Sequence, residues 1–213
     1  MGDAASLSVV RFSMSTHRQL RREARERRRA LTRPIQSQHS IAATRLLITS
    51  PWFRRSRTIG LYLATDGELD LAPFIKAARR FKKHLFLPAL RSTPGNGLWF
   101  VEYRSGDQLI KNRFGISEPD IRKRAPMPLW AIDLILMPLV AFDPDGNRLG
   151  MGGGFYDKSL AVRQRPSHRS KPILIGMAHE CQRVERIPTR SWDIPMDGVI
   201  TERRRCNFSS RHD

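Results

Sequence analysis

The run Leu134-Ile135-Leu136-Met137-Pro138-Leu139-Val140-Ala141-Phe142 passes directly into Asp143-Pro144-Asp145-Gly146-Asn147-Arg148-Leu149-Gly150-Met151-Gly152-Gly153-Gly154-Phe155-Tyr156-Asp157. The apolar tetrad Leu134 to Met137 reads as a buried strand, and Tyr156 to about Gln164 reads as a helix. A glycine-rich loop with an arginine therefore joins a strand to a helix start. Bare backbone N–H groups, a positive helix end and a guanidinium together suit anionic oxygens. Gly150, Gly152, Gly153 and Gly154 permit close backbone approach to a ligand. Arg148 offers a planar fork to phosphate, and Asp157 offers a carboxylate oxygen to Mg²⁺. The loop lacks the G-K-[ST] ending of a Walker A motif, and it lies too late in the chain for the usual dinucleotide fingerprint.

Outward from this stretch, helical and strand patterns alternate. A helix is predicted from Ser15 or Thr16 to about Leu31, carrying eight arginines from Arg18 to Arg33 over a thin apolar side of Leu20, Ala24 and Leu31. Such a helix belongs on the surface. A second helix follows over about Gln36 to Leu47. Strands are expected at Thr58–Leu63, at His84–Leu87 with Pro88 as its end, and at Leu98–Tyr103. Others are expected at Leu134–Pro138, Ile173–Gly176 and Gly198–Thr201. Thr65-Asp66-Gly67-Glu68 reads as a turn, and Leu71 to Phe81 as a helix. The pattern predicts an α/β fold: a single three-layer domain with a mainly parallel central sheet flanked by helices, preceded by a basic N-terminal helix. The expected divisions are a disordered leader over residues 1–14, a catalytic domain over 15–203 and a polar tail over 204–213.

The 213 residues carry a net charge of +18 and are 40% hydrophobic. No apolar run approaches the roughly 20 residues that span a bilayer. The charge points to acidic partners. Cys181 and Cys206 lie far apart, and no Cys/His cluster has zinc spacing, so reduced thiols in the cytoplasm are expected and a structural zinc is not. Met1-Gly2-Asp3-Ala4-Ala5-Ser6 matches a myristoylation pattern formally and is read as an unlipidated leader. The Arg18–Arg33 cluster and Arg203-Arg204-Arg205 raise nucleic-acid binding as a competing reading. Aromatics are not interleaved with these basic residues, and nucleic acid is not the expected partner.

The stretch Val140 to Asp157 resembles the signature of the 5-formyltetrahydrofolate cyclo-ligase family, also called methenyltetrahydrofolate synthetase. Leu20-Arg21 is similar to the family's basic N-terminal segment, and Tyr62-Leu63 with Glu68 to its first strand and acidic turn. Phe114-Gly115-Ile116 with Glu118-Pro119 resembles its F-G-I-x-E-P element. Ile187-Pro188 followed by Trp192-Asp193-Ile194-Pro195-Met196-Asp197 resembles its closing segment. The resemblance implies that ATP and 5-formyltetrahydrofolate are converted to 5,10-methenyltetrahydrofolate, ADP and phosphate with Mg²⁺. Phosphorylation of the formyl oxygen would create a leaving group, and the N10 amine would then close the ring.

By position, the resemblance assigns ATP contacts to His17, Arg18, Arg21 and the loop Arg148, Leu149, Gly150, Met151, Gly152, Gly153, Gly154, Phe155 and Tyr156. Folate contacts would come from Leu63, Glu68, Phe114 and the loop from Met151 through Tyr156. Asp157 and Asp193 would hold the metal, with Arg148 and Asp157 as catalytic residues. His17 stands where the family usually has lysine, and Met151 where many relatives carry a polar or aromatic residue. The excess charge suits the carboxylate chain of a polyglutamylated folate. A monomer is the expected state.

Overall fold

The computed structural model of the chain describes residues 16–91, 97–161 and 172–208. The leader over 1–14 and the expected helix end near Gln164 lie outside them. Thr16 caps α1 (His17–Arg29) by accepting a hydrogen bond from the Gln19 N–H at 3.3 Å. Pro34 sits in the first turn of α2 (Arg33–Ile48), where its missing N–H breaks no helix bond. Ser50 caps the short α3 (Pro51–Arg55), an element whose five residues are too few to show periodicity. Next come β1 (Thr58–Gly60), α4 (Ala72–Arg80), β2 (His84–Leu90), β3 (Leu98–Glu102), β4 (Leu109–Lys111), β5 (Ser117–Pro119) and β6 (Leu134–Pro138). The hairpin β7 (Ala141–Phe142) and β8 (Arg148–Leu149) leads into α5 (Phe155–Leu160), then β9 (Ile173–Met177), β10 (Gly198–Ile200) and β11 (Arg205–Asn207).

Seven strands form the central sheet in the order β11-β10-β9-β6-β1-β2-β3. The five inner strands are parallel, and β3 and β11 pair antiparallel at the two edges. Alternation along β6 sends Leu134 and Leu136 to one face and Ile135 and Met137 to the other. The first face packs on Ala43 and Leu47 of α2, Phe53 of α3, and Phe74 and Ala78 of α4. The second is covered by Leu160 of α5 together with Phe142, Ile194, Met196 and Phe208. This is the expected α/β sandwich of helices about a mainly parallel sheet.

Three local expectations change. β2 continues through Pro88 to Leu90, because β1 pairs with it only as far as Phe86. Pro88 therefore lies where the parallel ladder has ended and pairs only across to Phe100 of β3. The segment read as a polar tail supplies β11, and Phe208 beyond it is buried. Finally, α1 lies on the surface as expected, but its thin buried stripe holds a residue that was not: Arg28 is fully buried beside Leu20 and Ala24.

Gly198 opens β10 where a Cβ would stand 2.7 Å from the Cys206 carbonyl oxygen and 2.6 Å from the Trp52 ring. The backbone atom cannot yield, so Gly198→Ala should cost about 2 kcal/mol. A thermal melt should show Tm lower by roughly 4–8 °C; an unchanged Tm would refute this packing.

Candidate active site

In a sheet of this order, the chain leaves β1 and β6 in opposite directions, and ligands bind in the crevice beyond their carboxyl ends. β1 runs into Leu61 to Glu68, and β6 runs into the β7–β8 hairpin and the glycine loop. The two segments singled out in the sequence therefore flank one switch point.

The loop's ends are tied down. Asp143 is fully buried and accepts hydrogen bonds from the Asp145 N–H, the Asn147 N–H and Nδ2, and the Ile187 N–H, at 2.9–3.0 Å. Arg148, nearly buried, donates from Nη2 to Asp157 Oδ1 at 2.6 Å and from Nη1 to the Ile194 carbonyl. The Ile194 N–H also donates to Asp157 Oδ1, at 3.3 Å. Arg148 and Asp157 thus engage each other, and their bonds fall on one carboxylate oxygen. Between these anchors Met151, Gly152 and Gly153 are exposed, and Leu149 is buried. Gly152 and Gly154 have φ of 107° and 64°, the left-handed region where a side chain would be strained. α5 begins at Phe155, one residue earlier than expected.

α1 crosses above the loop. Arg21 Nε donates to the Gly150 carbonyl at 2.8 Å, and Arg25 Nη2 approaches the Met151 sulfur at 3.1 Å. Burial, then the charges of Arg25 and Arg190, push the Arg21 pKa down. Two guanidinium groups therefore meet the loop, and Arg190 lies within electrostatic reach of the first. Arg18 is exposed on the same helix. His17 is half-buried and its Nε2 meets the Pro188 carbonyl at 2.6 Å, which makes it an anchor for the Ile187–Pro188 segment. Asp193 is half-buried, and its Oδ2 accepts from the Arg190 N–H at 2.8 Å.

On the other side of the crevice, Asp66 and Gly67 have φ of 51° and 76°, and the Glu68 N–H closes the turn onto the Thr65 carbonyl at 2.9 Å. Arg28 and Arg29 of α1 hold Asp66 at 2.8 and 2.7 Å. Glu68 is buried and accepts from the Thr65 N–H at 3.0 Å. Burial raises its pKa, opposed by the Thr65 hydrogen bond and Arg28. The Tyr156 hydroxyl is buried without a hydrogen-bond partner among the described residues. Burial, then the Glu68 charge, raise its pKa, which places Tyr156 and Glu68 within one electrostatic neighbourhood. Leu63 packs at the core's edge and lines a cavity of about 490 Å³ with Tyr62, Ile75, Lys76, Arg79 and Tyr103. Phe114 is 56% exposed, so it is no core residue. It meets the Phe155 ring edge-on at 5.7 Å, beside the loop.

The structure thus gathers Arg21, the 148–155 loop, Asp157 and Asp193 on one side, and Leu63 and Glu68 on the other, with Tyr156 between them and α1 joining the two. Sequence reading missed Arg25 and Arg190 as loop neighbours, and also exposed Trp192, whose ring lies under the Arg190 guanidinium at 5.5 Å. Arg25 lies four residues after Arg21, and that helical spacing was a usable signal; Arg190 offered none.

Fold and site define a doubly wound α/β protein with an arginine-bordered glycine loop at its switch point. The sequence model of the 5-formyltetrahydrofolate cyclo-ligase family matches residues 13–202, and the chain belongs to that family. A 5-formyltetrahydrofolate cyclo-ligase of Escherichia coli (strain K12) is 41% identical over 177 residues, 83% of this chain and 95% of that protein. One from Mus musculus is 30% identical over 195 residues, covering 88% and 94%. The solved 5,10-methenyltetrahydrofolate synthetase of Aquifex aeolicus superposes with a TM-score of 0.76 at 31% identity, covering 90% of this chain and 92% of that one.

Asp157→Ala leaves the nearly buried Arg148 guanidinium without its carboxylate. Urea titration should show a loss of about 2–3 kcal/mol. Removing both partners as Arg148→Met with Asp157→Leu should cost less than the two single changes summed. Strict additivity would show that the pair does not anchor the loop.

Proposed function

We propose that the protein cyclises 5-formyltetrahydrofolate to 5,10-methenyltetrahydrofolate with ATP, through a phosphorylated formyl intermediate. The observation that carries this reading is the contact of Arg21 and Arg25 with an exposed glycine loop, with Arg190 within electrostatic reach of Arg21. Like charges lower one another's pKa, and a polyphosphate would relieve that tension. Family membership supports the folate substrate.

An N5-formyl amide is a poor electrophile. Its oxygen attacks the γ-phosphorus, ADP departs, and the formyl carbon acquires a phosphate leaving group. N10 then attacks that carbon and releases its proton to solvent, the ring closes, and phosphate leaves with the C–O electron pair. The protein's task is to align two anionic substrates and steady the transferred phosphoryl charge. Arg21 and the amides from Gly150 to Gly154 hold the phosphates, with Arg18 at the outer edge. Arg148 and Asp157, fixed on each other, set the loop's shape against the Ile194 segment.

Glu68 accepts hydrogen bonds from the pterin's amino group, the Tyr156 hydroxyl gains the partner it lacks, and Phe114 with Phe155 borders the ring. Lys76 and Arg79 line the cavity beside Leu63 and suit the carboxylates of a glutamate tail; the Arg79 Nη2 is buried without a partner. The described hydrogen bonds of Asp157 fall on Oδ1 and those of Asp193 on Oδ2, so each keeps a hard oxygen for Mg²⁺. When bound, Mg²⁺ would neutralise phosphate charge.

Mixing the protein with 5-formyltetrahydrofolate, ATP and Mg²⁺ should produce the near-ultraviolet absorbance of the methenyl product; a folded protein that yields none would overturn the reading. Arg21→Ala should raise KM for ATP roughly 10–100-fold, the size of one charge-assisted hydrogen bond, with little change in KM for folate. Glu68→Gln should do the reverse. Steady-state kinetics varying each substrate separates the two, and identical effects on both substrates would refute the division of the crevice.

A further inference from the structure

Beside Gly67 of the Thr65–Glu68 turn, three side chains from distant parts of the chain converge. His39 comes from α2, His179 from the residue pair that follows β9, and Glu202 from the end of β10. The two Nδ1 atoms face each other at 2.9 Å, and Glu202 Oε2 lies 3.8 Å from the His39 Nδ1. One donor atom from each residue lies within 4.8 Å of the other two. In a tetrahedral zinc site, bonds of about 2.0–2.1 Å separate neighbouring ligand atoms by about 3.3 Å, and the observed spacings bracket that value.

The geometry points to a transition-metal site: His39 Nδ1, His179 Nδ1 and Glu202 Oε2 bind one ion of the zinc class, with a water completing the tetrahedron. Two imidazoles and one carboxylate select first-row transition ions over Mg²⁺ and Ca²⁺, which favour all-oxygen sites. The supporting shell is present. Glu202 Oε2 is oriented by the Glu180 N–H at 2.9 Å. His179 is fully buried, and its backbone N–H is held by Gln182 Oε1 at 2.9 Å. The ring also interacts with the Gly67 backbone, and coordination through Nδ1 would leave the ring proton on Nε2.

Two cations flank the site: Arg203 Nε lies 3.6 Å from Glu202 Oε1, which leaves Oε2 for the ion, and Arg28 has its own charge met by Asp66 at 2.8 Å. Without an ion, the facing Nδ1 atoms are joined by a single hydrogen bond, one ring donating to the other. With one, α2 is stapled to the carboxyl ends of β9 and β10, beside the turn that presents Glu68. The site is distinct from Asp157 and Asp193, and it needs no substrate.

Chelator-treated protein should take up one Co²⁺ per chain with visible tetrahedral absorption bands, displaced by one Zn²⁺ and unmoved by millimolar Mg²⁺. Saturating Zn²⁺ should raise Tm by several degrees. Glu202→Gln keeps the side-chain volume, and His39→Ala alters a partly exposed position. Each should weaken Co²⁺ binding by more than about 100-fold, the upper range of an outer-shell loss, and abolish the Zn²⁺-dependent rise in Tm. His84→Ala, an exposed histidine elsewhere, should bind as the parent does. Failure of the parent to take up Co²⁺ would leave only a hydrogen-bonded histidine pair and overturn the site. Equal uptake by Glu202→Gln and His39→Ala would overturn it as well.

Discussion

A guanidinium in the protein interior keeps its proton, so the chain must bring acceptors to it. Arg148 imposes that demand at the end of β8. Asp157 and the Ile194 carbonyl meet it, which joins the hairpin, the first turn of α5 and the segment before β10. With those ends held, the glycines between them can stay exposed and retain left-handed conformations without the loop collapsing. Asp143 reinforces the arrangement by serving four donors at once and drawing Ile187 onto the hairpin. The loop is open because its boundaries are rigid.

α1 depends on this frame and completes it. At its first turns Arg21 reaches the loop, and near its end Arg28 and Arg29 grip Asp66. One helix thereby spans the crevice between the ends of β1 and β6 and sets the separation of its two walls. This role accounts for the placement of much of the positive charge. Arg28 and Arg29 are offset by a carboxylate, whereas Arg21 and Arg25, with Arg190 within electrostatic reach, have no carboxylate ion pair among the described residues. The first set holds the turn, and the second is the one on which the proposed anion site rests.

Much of the fold was legible in the chain itself. β6 and β9 are continuous apolar runs, as strands covered on both faces must be, and Thr16 and Gly67 announced a cap and a turn through local chemistry. Pro88 misled because a proline's effect depends on whether a neighbouring strand is still pairing there, which is a property of β1's length. The antiparallel β11 was hidden among arginines, since an edge strand needs little apolar character. The buried stripe of α1 was read without Arg28 because it occupies a core position that periodicity reserves for an apolar residue; Asp66 makes that burial tolerable.

By itself the sequence determined the order of elements, the strand-to-helix glycine loop and the candidate residues that lie close along the chain, because these follow from backbone preferences and short-range periodicity. Tertiary structure decided which of those residues meet. It paired Arg148 with Asp157, turned His17 toward Pro188, placed Arg190 beside Arg21, and set His39 against His179 across 140 positions. Those meetings depend on sheet order and on how far each helix is buried, and neither is a local property of the chain.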